Sequence, residues 1–308
     1  MKKYLSPLLL TLAALIWGIA FVAQKAAAEI PAFTLLAARS IIATLVLVPI
    51  VVLFDKLKKS GRSLFSVGGS ALTKKELIGG IVSGVFLFIA SALQQVGIAG
   101  TDVGKASFIT ALYVLIVPIY ALIFGKKSPL STWIGVIISI VGFYLLCIKE
   151  DLSIMPADLL VLLCAVVFAI QIMSIDHFSK DSDGVRLSLV QFFTVTVIST
   201  VAALIFESPI SFSAIGAVMP EILYLGIGSS GIAYTLQILG QKNTHPAVAS
   251  IILSLESVIG AIASAIILGE RMSAREYVGA AIVFVAVVIS QIDMKALFSK
   301  LGKQNSAD

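Results

Sequence analysis

Residues Ala247–Arg271 read AVASIILSLESVIGAIASAIILGER. About twenty of them are apolar or small, enough helix to cross a bilayer core at 1.5 Å per residue. A single charge, Glu256, sits near the middle. A carboxylate at that depth costs on the order of 2.5–3.5 kcal/mol to insert, so it normally faces a cavity or a partner. The stretch has an earlier twin. Shifted back by 143 positions, Leu236, Gln237, Gly240, Thr244, Ala249, Ser250 and Leu255 fall on Leu93, Gln94, Gly97, Thr101, Ala106, Ser107 and Leu112. The match covers two helices and the turn between them, which makes the chain a duplicated helical bundle. Only the second copy carries the acid; Tyr113 stands at that place in the first.

Apolar segments of spanning length recur on both sides of this pair. The pattern predicts spans over 5–25, 32–54, 77–98, 103–124 and 130–148 in the first half. Those of the second half are 157–175, 187–206, 221–241, the opening stretch, and 274–292. Ala26-Ala27-Ala28 resembles a signal-peptide cleavage site, but the apolar segment before it is long for a signal and has a matching first span in the second half. Ten spans divide into five and five. Five is odd, so the second copy enters the membrane from the opposite side and the duplication is inverted. The expected fold class is an all-α polytopic membrane protein of ten transmembrane helices in two inverted five-helix repeats. The repeats are residues 1–149 and 150–294, with a tail over 295–308.

Composition agrees. Hydrophobic residues make up 59% and charged residues 13%, against about 25% charged in soluble domains; mean hydropathy is +1.06. The net charge of +5 does not point to nucleic acid, because the lysines cluster in loops between spans. Six basic residues lie between Asp55 and Glu76: Lys56, Lys58, Lys59, Arg62, Lys74 and Lys75. Of the 22 Lys and Arg, only Lys25, Lys105, Lys149, Arg271 and Arg275 fall on the opposite face, and Arg39 lies within a span. The positive-inside rule therefore places both termini in the cytoplasm. Cys147 and Cys164 offer neither a disulfide framework nor a metal spacing.

Trp17-Gly18 in the first span, Arg39 in the second, Leu255-Glu256 in the ninth and Leu268-Gly269-Glu270-Arg271 before the tenth resemble the drug/metabolite transporter superfamily. The likeness is to its EamA-type ten-span members and covers nearly the whole chain. Many members have Pro after the ninth-span glutamate, where this chain has Ser257. The resemblance implies a secondary transporter in the inner or plasma membrane, with a small-molecule substrate and the lipid bilayer as its partners. Spans one, three, four, six, eight and nine would line a central cavity, with five and ten peripheral. Members move amino acids, other small metabolites or drugs, often outward, so export is the expected direction.

Candidate site residues follow from polarity within spans. Glu256 reads either as a protonatable or cation-coordinating carboxylate in the pathway or as a packing pin bonded to neighbouring hydroxyls and amides. Ser250, Ser254, Ser257, Ala261 and Ser264 on its helix form a small-residue seam for close packing. Gln94 and Gln237 hold equivalent places and would read a polar substrate or tie helices together; Gln171 and Gln191 repeat the argument more weakly. Trp17 and Tyr234 would stack on substrate or pack against helices. Arg39 would attract an anionic group, although an arginine this near a span end ordinarily snorkels to the interface or pairs with an acid. Pro118 cannot donate to the Val114 carbonyl, which predicts a kink. The run Gly226–Gly231, with Gly228 and Gly231, is poor helix and reads as a bend, a gate or a close contact. The expected substrate contacts are therefore Trp17, Gln94, Gln171, Tyr234, Gln237 and Glu256, with Glu256 also carrying protons and Pro118, Gly228 and Gly231 gating.

Two other classes are weighed. A receptor or assembly protein would usually show a larger soluble domain. Gly228-Ser229-Ser230-Gly231 resembles the glycine-x-serine-glycine of rhomboid-type intramembrane proteases, a chemistry that needs a histidine facing the serine. The chain has only His177, in a loop, and His245, at the mouth of span nine. No enzyme activity is expected, and no phosphate-binding loop, metal motif or cofactor is predicted. Small residues in spans five and ten would accommodate a homodimer.

Overall fold

The computed structural model describes residues 2–59, 71–147, 155–269 and 273–290. Arg62 of the basic loop, Lys149 of the linker, Glu270-Arg271 before span ten and the tail with Lys295, Lys300 and Lys303 lie outside the described residues.

Every regular element among the described residues is helical. The first half holds α1 (Lys2–Ala26), α2 (Ala32–Lys59), α3 (Lys74–Ala99), α4 (Val103–Ala111), α5 (Tyr113–Ile123) and α6 (Leu130–Cys147). The second holds α7 (Pro156–Ser179), α8 (Gly184–Phe206), a short α9 (Phe212–Ala217), α10 (Met219–Leu223), a π-helix over Tyr224–Ala233, α11 (Tyr234–Gln241), α12 (Pro246–Leu253), α13 (Leu255–Ile267) and α14 (Ala274–Ser290). Among the described residues, eight helices are long and apolar enough to cross a membrane, counting α4–α5, α10 through the π-helix to α11, and α12–α13 as one each. The remaining two of the ten expected spans hold shorter apolar helices, Leu130–Gly142 and Tyr277–Ser290. They belong to α6 and α14, which pack along each other.

Helix ends are fixed by side chains that satisfy backbone groups left without a partner inside the helix. Thr73 and Glu76 form a capping box at the start of α3. Asp183 accepts from the Val185 and Arg186 amides and opens α8. Glu207, just beyond α8, accepts from the amides of Phe33 and Thr34 and from the Thr34 hydroxyl, so the end of one helix caps the start of α2. Lys25 donates to the carbonyls of Ile98, Ala99 and Thr101 at the end of α3, where a cation also opposes the negative end of the helix dipole.

Helix contacts follow the duplication. α3 packs on α7 as the π-helix and α11 pack on α1, and α1 packs on α13 as α4 and α5 pack on α7. Both helices of the quoted register are interrupted. Leu112 breaks one at φ −61°, ψ −12° and Ser254 the other at φ −64°, ψ −10°, one residue out of step with the sequence register. Bonds from Leu115 N to the Leu112 carbonyl and from Ser257 N to the Ser254 carbonyl tighten each break into a single turn of 3₁₀ type. In the second copy Ser254 and Ser257 also bond back to carbonyls three residues earlier, which competes with regular helix. The interruption in the first copy is therefore at Leu112 and not at Pro118, through which α5 continues. Past the breaks, Gly125 and Gly269 end their helices at φ +76° and +71°, a left-handed cap that only glycine takes cheaply.

Candidate central site

One cavity is lined by Trp17, Gln94, Gln171, Tyr234, Gln237 and Glu256, all six expected contact residues. Its walls come from α1, α2, α3, α4–α5, α7, the π-helix, α11, α12 and α13. Residues 143 apart line it together. Gln94 pairs with Gln237 in this sense, Thr110 with Leu253, and Tyr113 with Glu256. On α1 and α7, Trp17, Ala20 and Phe21 are matched by Phe168, Gln171 and Ile172, 151 residues on.

Glu256 is buried, with 5% of its surface exposed, two residues past the break at Ser254. Tyr113 lies beside its carboxyl, yet the Tyr113 hydroxyl makes no hydrogen bond of good geometry. Gly18 brings α1 directly against this point. A Cβ there would lie 2.5 Å from Ile259 Cβ and 2.9 Å from the Glu256 carbonyl oxygen, closer than real side chains approach. Trp17, one residue earlier, donates its indole N–H to the Ser229 carbonyl at 3.2 Å. Its ring lies 4.5 Å from that of Tyr234. The aromatic pair thus has both a packing partner and a face on the cavity.

The amides are linked. Gln237 donates to Gln171 at 3.3 Å and Gln171 to Gln191 at 3.4 Å, while Gln94 donates to Thr110 at 3.2 Å. The Gln237 side-chain oxygen is buried without a hydrogen bond, an acceptor next to the cavity. Tying helices and facing the cavity are therefore not exclusive roles for these residues.

Arg39 differs from the snorkelling geometry its position in the sequence predicts. It is 7% exposed, lines the cavity and donates from Nη1 to Gln24 Oε1 at 3.2 Å. Gln24, Thr110, Phe21 and Phe168 also line it without any mark in the sequence, as does Ser229 of the span-eight glycine-serine run. Gln24 sits in the last turn of α1, where its polarity resembles that of any interfacial residue. Pro118, Gly228 and Gly231 are not among the lining residues; both glycines belong to the π-helix, an uncommon form concentrated at functional positions. His177 lies exposed on α7 and not in a loop, and His245 caps α12 by accepting from the Ala247 amide; neither of them, nor Ser230, the serine of the glycine-x-serine-glycine match, is among the residues lining the cavity.

The cavity is narrow, about 40 Å³. At roughly 10–15 Å³ for each water, that is room for a few waters, against about 300 Å³ or more for a pocket that holds a small organic molecule. A metabolite enters only if the walls separate. Partly buried ion pairs join α4–α5 to α7 near both ends. Lys105 lies 2.6 Å from Asp158, which also accepts from the Thr101 hydroxyl at 2.8 Å and the Met155 amide at 2.8 Å. At the other end Lys126 pairs with Asp176, and Lys180 approaches the same carboxylate at 3.7 Å.

Residues 5–148 and 155–291 each match the EamA-like transporter family. A protein from Archaeoglobus fulgidus described as an uncharacterized transporter is 29% identical over 294 residues, spanning 94% of this chain and 86% of that protein. A solved crystal structure superposes with a TM-score of 0.73 at 16% identity, covering 92% of this chain and 96% of the other; at that identity it shows the shared fold alone.

Proposed function

We propose, since the chain belongs to the EamA-like transporter family and is therefore a membrane transporter, that it exports small metabolites such as amino acids or drugs by alternating access. The two matched segments would act as inverted halves, residues 1–149 and 150–294, with both termini in the cytoplasm of a cell bounded by this inner or plasma membrane. Trp17, Gln94, Gln171, Tyr234, Gln237 and Glu256 would contact the substrate, and Arg39 with Gln24 would join them. Pro118, Gly228 and Gly231 would let helix segments move. Any homodimer would use the outer faces of α6 and α14.

The observation that carries this reading is a buried cation and a buried acid, Arg39 and Glu256, on one cavity among amides and aromatic rings. Such a set matches a molecule with separated charges and an apolar body. Broken helices at corresponding places in the two halves support it, because discontinuous helices mark the substrate site in many secondary transporters. Glu256 would also carry the coupling proton.

Counterflow in proteoliposomes tests the reading, with labelled amino acids and cationic drugs as probes. Substrate-dependent exchange is expected for the native chain, and Glu256→Gln should remove its dependence on pH. No exchange with any probe would favour a non-transporting receptor. Exchange with an unchanged pH profile in Glu256→Gln would leave transport standing and take the proton from Glu256.

A further inference from the structure

A second concavity lies on the reverse side of α7. Gln171 and Ile172 of α7 face the central cavity, whereas Ile170, Ser174 and His177, spaced four and three residues apart, line a groove against Tyr120, Ile123 and Phe124 at the end of α5. This spacing puts the three on one helical face. The same face continues seven and eleven residues back from Ile170 to Leu163 and Leu159, which are 53% and 52% exposed. On the opposite wall Ile123 and Phe124 are each 71% exposed. The groove is open along its outer side, has a volume of about 720 Å³ and is lined mostly by apolar groups.

Its mouth is basic. Lys126 lines the groove directly after the cap at Gly125, and Lys127 next to it is exposed. Two lysines, Lys126 and Lys180, share the single carboxylate of Asp176, which leaves one positive charge unbalanced within that cluster. His245 lies in the same field, since burial first and then the charges of Lys126 and Lys180 hold its imidazole below the ordinary histidine pKa. The neighbouring acid Asp181 is engaged by Lys75 at 2.7 Å.

We propose that the groove between α5 and α7 binds one anionic phospholipid, its phosphate at Lys126 and its acyl chains against Ile170, Leu163 and Leu159. A headgroup phosphodiester answers the unbalanced charge, and the apolar track below it suits chains in a way that a free phosphate would not use. Basic pockets between membrane helices near the interface take anionic headgroups on the same principle. The site is independent of the central cavity, because it uses the opposite face of α7.

Native mass spectrometry of the purified full chain, titrated with phosphatidylglycerol or phosphatidylcholine of identical acyl chains, tests the assignment. One phosphatidylglycerol should be retained several-fold more strongly than phosphatidylcholine. Lys126→Gln should weaken phosphatidylglycerol by about fivefold, the factor expected for one lysine near a membrane surface, and leave phosphatidylcholine unchanged. Ser174→Trp fills the groove without touching the ion pair and should abolish retention of both, which decides the matter should Lys126→Gln fail to fold. Equal retention of the two lipids, an unchanged preference in Lys126→Gln, or full retention in Ser174→Trp would each overturn the proposal. Displacement of the lipid by millimolar inorganic phosphate would also overturn it, by showing a site for the ion alone.

Discussion

Two helix pairs flank the central cavity at corresponding places in the halves, and different forces hold them. In one, α1 meets α13 through Gly18, whose missing side chain lets the backbones touch at Glu256. The only charges in these two helices beyond the first turn of α1 are Lys25 and Glu256; Lys25 bonds instead to the end of α3. In the other pair, α4 and α5 are joined to α7 by Lys105–Asp158 near one end and Lys126–Asp176 near the other. Close packing is short-ranged and indifferent to salt; ion pairs near water yield to salt and to competing ions. A duplicated element has thus become a seam on one side and a pair of latches on the other. Under the alternating-access mechanism proposed above, the latched side would be the one to part.

The largest effect should come from the seam. Gly18→Val places two methyl groups where even a Cβ would lie 2.5 Å from Ile259. Overpacking of this kind costs about 1–3 kcal/mol and sometimes more, and here the backbone of α13 is among the obstacles. The thermal midpoint in detergent should fall steeply. Ala169, buried at the corresponding place on α7, gives the control: Ala169→Gly should cost about 1 kcal/mol through helix propensity. A Gly18→Val protein as stable as Ala169→Gly would break the comparison, since the two pairs would then be equally loose.

An intermediate effect belongs to the latches. Asp158 and Asp176 are almost fully buried, but their lysine partners are about a third exposed. Each pair should therefore contribute less than a wholly buried one, about 1–2 kcal/mol on removal. Asp158→Asn and Asp176→Asn should each lower the thermal midpoint at low salt. The native chain should lose part of its advantage in 1 M salt, and the double variant should not. Identical salt responses in the two proteins would mean that these pairs hold nothing together.

How much of this was legible in sequence depends on the range of the interaction. Span positions follow from runs of apolar residues, and the 143-residue register makes Gln94 equivalent to Gln237 and Tyr113 to Glu256, because each half repeats one local pattern. The latches left no such mark. Lys105 and Asp158 are 53 residues apart, each ordinary for a helix end, and only packing brings them together. The burial of Arg39 is hidden in the sequence for a related reason. Counted along the chain it is two turns inside α2, within snorkelling reach of the interface, but Gln24 of the neighbouring α1 gives it a buried partner. The break at Leu112 is likewise hidden in the sequence, because Pro118 is the visible disruptor and membrane helices tolerate proline where neighbouring groups satisfy the freed carbonyl.

The smallest effect should separate latch from seam by pH. His245 opens α12, half-buried beside Lys126 and Lys180, and burial first and then those two cations hold its pKa below the ordinary value of about 6.5. Below that ordinary value the unfolded chain takes up a proton that the folded chain resists. The stability contributed by neutral His245 is therefore complete above about pH 6.5 and declines as pH falls through the lowered folded pKa. His245→Asn keeps an acceptor for the Ala247 amide, asparagine being a good N-cap, while removing the titration. Between pH 7.5 and 5.5 the native midpoint should drop by a few degrees more than that of His245→Asn. The difference should shrink in Lys126→Gln, which withdraws one of the repelling charges. A pH response unchanged by His245→Asn would detach His245 from the latch and leave the carboxylates alone to set the acid limb.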